Sequence, residues 1–204
     1  MPDPAEHDMT STEHDMTSTA AVLLAAGAGS RFTTSDEARH KLLAPFKGHT
    51  VVWWAAQAAL SADIGETWVV AGAVDLAGAL PDGVCVLRNP DWQSGQASSL
   101  QTAVSAARDR GLEAVVVGLG DQPLVEAQAW TNVAGSSSPV AVGTYNGARR
   151  NPVKLSSLVW QLLPVSGDEG ARSLIRSRPD LVEEVPCPGE AADIDTREDL
   201  IRWS

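Results

Sequence analysis

Apolar, β-rich runs that alternate with segments of helical period predict an α/β domain made of βαβ units around a mostly parallel sheet. Two runs anchor that expectation. Ala20 to Ala26 is continuously apolar and enters Gly27-Ala28-Gly29-Ser30-Arg31, while Ala114 to Leu119 leads into Gly120-Asp121-Gln122-Pro123. Ligands of open α/β sheets sit beyond the carboxyl ends of the strands, so both run-ends read as walls of one site. One wall offers backbone amides for phosphate, the other a carboxylate for a divalent metal. The competing reading of Asp121 is a turn residue that only caps the next helix.

Further strands are expected at Thr67 to Ala73, Val84 to Leu87, Val140 to Tyr145 and Leu181 to Val185. Between them Val51, Ala55, Ala58 and Ala59 mark one helical face, and Leu100, Val104 and Ala107 mark another that starts after the Ser94-Gly95 turn. Trp53, Trp54, Trp68, Trp130 and Trp160 fall on or beside these faces and read as core. Asp168 is placed to cap a helix from Gly170 to Arg178, with Arg172 and Arg176 on one side and Pro179 ending it. A last helix is expected from Arg197 to Trp203.

The chain has 204 residues, 44% of them hydrophobic, which suits one well-buried domain over 20–204. Residues 1–19 form an acidic tail in which Glu6-His7-Asp8-Met9-Thr10-Ser11-Thr12 recurs unchanged from Glu13 to Thr19. With little apolar surface to bury, that tail is expected to be disordered. A net charge of -11 argues against a nucleic-acid binder or a protein lying on anionic membrane. Partners are therefore expected to be small molecules. Cys85 and Cys187 have neither Cys-x-x-Cys spacing nor a neighbouring His, so both read as small packing residues rather than a zinc or disulfide framework. With no secretory segment and no membrane-length apolar run, a cytoplasmic location is expected.

Chemistry is concentrated in four segments. The loop Gly27 to Phe32 lacks the third glycine of the dinucleotide fingerprint and the Gly-Lys-Ser/Thr of a P-loop, but its small residues let a phosphate approach and Arg31 adds a fixed charge. Lys41 could supply a second cation. Asn89 to Leu100 passes from a strand into a helix, and its polar groups and helix-start amides face the same edge. In Asp193-Ile194-Asp195-Thr196, carboxylates two residues apart on extended chain point to one face and could share a cation with Asp121. Asp195 and Thr196 could instead cap the last helix.

Taken in order, Leu24-Ala25-Ala26-Gly27-Ala28-Gly29-Ser30-Arg31 with Lys41-Leu42-Leu43, Asn89-Pro90 with Gly95 and Ser99-Leu100, Gly120-Asp121-Gln122-Pro123, Gly167-Asp168-Glu169-Gly170-Ala171-Arg172 and Asp193 to Leu200 resemble the MobA-like nucleotidyltransferases. Within that family the chain is most similar to the molybdenum cofactor cytidylyltransferases. The resemblance implies a three-layer, Rossmann-like fold and transfer of NMP from an NTP to an acceptor phosphate, with Mg²⁺ as cofactor. It implies nucleotide contacts from Leu24, Ala25, Ala26, Gly27, Gly29, Arg31, Lys41, Asn89, Gly95 and Ser99, with Arg31, Lys41 and Asp121 catalytic. Asp121 and either Asp193 or Asp195 would hold the metal; Gln122, Arg149, Asn151, Asp168 and Arg172 would face the acceptor. Ala26 stands where the guanylyl branch has glycine, which favours CTP with a molybdopterin-type acceptor and hand-over to a molybdenum-dependent dehydrogenase. Another acceptor phosphate, guanylyl transfer or a non-catalytic cofactor carrier are the alternatives.

Two departures stand out. A longer polar stretch, Thr33 to His40, separates Phe32 from Lys41, and Arg149-Arg150-Asn151-Pro152 replaces the family's Arg-Gly-His-Pro.

Overall fold

A computed structural model describes residues 18–29, 32 and 40–204. Most of the acidic tail and Arg31 lie outside the described residues. The elements are β1 (Thr19–Ala25), β2 (Pro45–Phe46), β3 (His49–Thr50), α1 (Val51–Ser61), β4 (Glu66–Ala71), β5 (Val84–Arg88), α2 (Gln96–Asp109), β6 (Ala114–Leu119), α3 (Ala127–Ala134), β7 (Val140–Tyr145), β8 (Ala148–Ser156), α4 (Arg172–Ser177), β9 (Val182–Pro186) and α5 (Arg197–Trp203).

Seven strands form one sheet in the order β5-β4-β1-β6-β8-β7-β9, and β2 and β3 form a small separate hairpin. Within the main sheet β8 alone runs antiparallel to its neighbours. The chain winds outward from β1 through β4 to β5 and then returns to the other side of β1 as β6. That reversal puts a crevice at the carboxyl ends of β1 and β6, where Leu24 is paired with Leu119.

Continuous apolar strands arise because both faces of the sheet are covered. Ala21, Leu23 and Ala25 pack with Val52, Ala55 and Ala56 of α1 and Trp130 of α3. Ala20 and Val22 point the other way, toward Leu100 and Val104 of α2, Trp160, and Leu174 of α4. The result is three layers. Fully burying a side chain such as Leu23 stabilises by about 1.5–3 kcal/mol, so the central strand is a major source of stability and a rigid base for its loop. A third cluster of Phe32, Phe46, Val51 and Ile194, with Leu200 and Trp203 against it, ties the hairpin and α5 to the start of α1.

Several expectations are corrected. Trp68, Trp130 and Trp160 are core, but Trp53 is only half-buried and stacks on the exposed His49 ring at 3.7 Å. Strand β8 and helix α3 are additional to the expected elements. The fourth helix begins at Arg172 with Ala171 in the cap position, so Asp168 caps nothing there. Cys85 is an exposed free thiol rather than a packing residue. The last helix spans the expected residues, and Thr196 with Asp199 closes it in a reciprocal capping box.

Candidate functional site

The glycine loop starts where β1 ends. Ala26 is buried, and its carbonyl accepts from Ala73 N at 3.0 Å, which fixes the chain direction before Gly27. Gly29 has φ +63°, and a Cβ there would lie 3.0 Å from His40 Nε2, so glycine is required by conformation and by the neighbour. His40 is fixed from both ring nitrogens. Its Nδ1 accepts from Leu42 N at 3.3 Å, and its Nε2 lies 2.7 Å from the Gly27 carbonyl. These partners define a neutral ring with the proton on Nε2. Burial lowers the His40 pKa from its ordinary value, with Lys41 adding to the effect against the opposing Gly27 carbonyl and Asp121 charge.

The next residue reaches the centre of the site. Lys41 Nζ donates to Asp121 Oδ2 at 2.5 Å and to Asp195 Oδ1 at 2.6 Å. Burial pushes the ammonium's pKa down, but the two carboxylates outweigh it and raise the net value. Asp195 arrives because Ile194 is buried and donates its backbone N–H to the Asp121 carbonyl at 2.9 Å. Asp193 turns elsewhere: its Oδ1 accepts from Gln122 Nε2 at 2.9 Å. Desolvation, followed by the Asp121 charge, raises the Asp193 pKa. Of the two carboxylates, Asp195 is thus the one that shares the Lys41 ammonium with Asp121.

A cleft of about 410 Å³ opens in front of these groups. It is lined by Leu24, Ala25, Ala26, Gly27 and Gly29 of the first strand and its loop, by the charged group Lys41, Asp121 and Asp195, and by Gly95 and Ser99 at the start of α2. Trp92, Gln93 and Gln96 also line it, and sequence reasoning had marked their segment without singling them out. Asn89 does not line it. Its buried amide donates to Ser98 and Ser99 hydroxyls at 2.8 and 3.0 Å and its oxygen accepts from Asp91 N, so it braces the loop from behind. Gly95 has φ +103°, and a Cβ there would come within 2.5 Å of Gly167 backbone atoms. That approach lets the Gly167 carbonyl accept from Ala97 N at 2.9 Å and sets Asp168 on the cleft wall beside the start of α2.

The expected acceptor residues are dispersed. Asn151 and Arg172 border a small adjoining hollow that shares Leu24 and Gln96 with the main cleft. Gln122 is buried, and its oxygen accepts from Asn151 Nδ2 at 3.3 Å, so it supports this wall from within. Arg149 instead pairs with Glu184 of β9 at 2.7 Å, reaching across the intervening strand β7. Arg31 lies outside the described residues.

The residues present fit a divalent cation. Asp121 Oδ1 is buried with no hydrogen-bond partner, while Asp121 Oδ2 and Asp195 Oδ1 already converge on one positive charge. Among the described residues no three His, Cys, Asp or Glu side chains form a complete cage. Two carboxylates leave positions that substrate phosphates and water could complete around such an ion.

A glycine loop, a lysine and paired carboxylates at the switch point of a mostly parallel sheet define a nucleotidyltransferase domain. The chain belongs to the MobA-like NTP transferase family, whose model matches residues 21–183. It is 31% identical to nicotine blue oxidoreductase of Paenarthrobacter nicotinovorans over 197 residues, 89% of this chain and 94% of that protein. Among solved structures it is similar to a nucleotidyl transferase from Methanothermobacter thermautotroptrophicus, with TM-score 0.76, 26% identity and coverage of 90% and 94% of the two chains. It is also similar to the manganese complex of Rv0371c from Mycobacterium tuberculosis H37Rv, with TM-score 0.72, 26% identity and coverage of 91% and 97%. Among the described residues no helix is long and apolar enough to cross a membrane.

Proposed function

We propose that this protein transfers CMP from CTP to the terminal phosphate of a molybdopterin-type cofactor, releasing pyrophosphate, in the cytoplasm and ahead of hand-over to a molybdenum-dependent dehydrogenase. The observation that carries the transfer chemistry is the convergence of Lys41, Asp121 and Asp195 at one end of a cleft walled by the glycine loop. An oxygen of the acceptor phosphate attacks the α-phosphorus of CTP, and the bond from that phosphorus to the β-bridging oxygen breaks. The acceptor phosphate is already ionised at neutral pH, so no general base is needed and alignment with charge neutralisation supplies the rate. Gly27 and Gly29 let the triphosphate approach the backbone, Lys41 neutralises charge at that end of the cleft, and Asp121 and Asp195 would hold Mg²⁺. The bound metal would neutralise charge on the triphosphate and the departing pyrophosphate. Arg31 is assigned to the triphosphate by sequence position.

The cytidylyl choice rests on Ala25 and Ala26, which line the cleft where a larger base would need room. The acceptor choice rests on the family resemblance and on Asn151 and Arg172 beside the adjoining hollow. Pyrophosphate release measured with each NTP, with and without purified molybdopterin, tests the reading. Release with CTP that depends on molybdopterin is expected; release with another acceptor moves the assignment within the family, and none with any nucleotide and acceptor overturns it.

One specific observation favours a second reading: the relative matched over 94% of its length is named an oxidoreductase. Redox turnover of nicotine blue by this chain, without pyrophosphate release, would establish that activity in place of transfer.

A further inference from the structure

We propose that His40 is a positioning residue that sets the distance between the glycine loop and Lys41, an inference that rests on the nucleotide reading of the cleft. Three observations meet at this ring. Its Nε2 lies 2.7 Å from the Gly27 carbonyl, its Nδ1 accepts from Leu42 N at 3.3 Å, and its edge approaches the place where only glycine fits at position 29. The ring therefore bridges two pieces of chain that are distant along the sequence. One is the loop leaving β1; the other is the short 3₁₀ turn Lys41–Leu43 that begins with the site's lysine.

The bridge has a physical task in this chain. Gly27 and Lys41 are separate positions in the sequence, and the two hydrogen bonds of the His40 ring tie the carbonyl of the first to the turn that carries the second. The contact is a short cross-link beside the residues proposed to meet the triphosphate. Both functions require the same neutral tautomer: an acceptor nitrogen for the Leu42 amide and a donor nitrogen for the Gly27 carbonyl. His40 itself touches no reacting atom.

Two substitutions separate these functions. In His40→Asn the side-chain oxygen can still cap the Leu42 turn, but the amide nitrogen is one bond closer to Cβ than histidine Nε2 and falls short of Gly27. In His40→Gln the amide nitrogen has the reach of Nε2, while the cap is lost. Calorimetric titration with CTP and Mg²⁺ should show affinity for His40→Asn weakened about five- to tenfold, the loss of one hydrogen bond, and affinity for His40→Gln close to wild type. Thermal stability should show the opposite order, with His40→Gln the less stable of the two. Wild-type affinity in His40→Asn, or equal weakening in both variants, overturns the proposal. If the wild type itself binds no nucleotide, the functional reading fails, and exchange of the Phe32 amide, which donates to the Gly29 carbonyl at 3.0 Å, decides the loop contact separately. Faster exchange in His40→Asn than in wild type supports it, and equal exchange refutes it.

Discussion

Lys41 and Asp121 form a nearly buried ion pair at 2.5 Å, yet only one oxygen of the carboxylate is used. The other, Oδ1, is buried without a partner. An unused buried acceptor costs stability, and this one belongs to a side chain that lines the cleft proposed to hold a metal-bound triphosphate. Asp121→Asn keeps shape but removes the charge. Turnover should fall roughly a hundredfold or more, the scale of one strong electrostatic contact to a transition state. Turnover near wild type at saturating Mg²⁺ would exclude this role.

Asp193 and Asp195 should separate in a metal titration. Asp195 shares the Lys41 ammonium with Asp121, whereas Asp193 accepts from Gln122. Asp195→Asn should raise the Mg²⁺ concentration needed for half-maximal activity by about tenfold, with little change in KM for the acceptor. Asp193→Asn retains an oxygen for Gln122 and should leave that titration in place. The reverse order would exchange their roles.

Gly95→Ala tests the wall of the cleft. A methyl there would press on the Gly167 backbone at 2.5 Å in a conformation with φ +103°. Unfolding in urea should show a loss of about 2 kcal/mol or more, the combined effect of backbone strain and a displaced loop. An unchanged midpoint would mean that the Gly167 loop is free to withdraw.

Base choice is decided by competition between CTP and GTP in one reaction. CTP should win by kcat/KM, and Ala26→Gly should narrow the margin by removing a methyl from the pocket wall. A wild-type preference for GTP would reject the cytidylyl assignment while leaving nucleotidyl transfer intact.

Acid stability should report on His40. Burial, the largest influence, holds its folded pKa below the ordinary histidine value, so the folded chain binds fewer protons than the unfolded one as pH falls. This increment is fully present above the unfolded value of about 6.5 and is lost as pH falls through the lower folded value. Melting temperatures compared between about pH 7.5 and pH 5.5 should therefore drop more for wild type than for His40→Gln. Parallel pH profiles would show that the ring charges without cost to the fold.

Strands β1, β4, β6 and β7 were legible because two covered faces make a strand continuously apolar, while the edge strand β5 was marked only by the short apolar run Val84 to Leu87. Strand β8 was not, since Arg149, Arg150, Asn151, Pro152 and Lys154 give it a polar pattern, and its pairing comes from long-range contacts with β6 and β7. Helix α3 has eight residues, too few for a periodic signal to stand out. At the site, the spacing of Asp193 and Asp195 located an acidic edge but could not say which side chain meets Lys41. That choice is made by the burial of Ile194 between them and by its bond to the Asp121 carbonyl. Nothing local marked His40, whose role depends on a carbonyl 13 residues earlier. Only its place just before the candidate lysine hinted at the site.

The Lys41 contacts also have a temporal meaning. Its carboxylate partners lie 80 and 154 residues further along the sequence. A ribosome releases the glycine loop and Lys41 early, Asp121 midway and Asp195 close to the last helix. Until Ile194 docks and α5 closes behind it, the emerging polypeptide has one anionic partner for its lysine instead of two. On the proposed reading of the site, competence is thus a late event in biogenesis, reached only after the sheet has received its final strand.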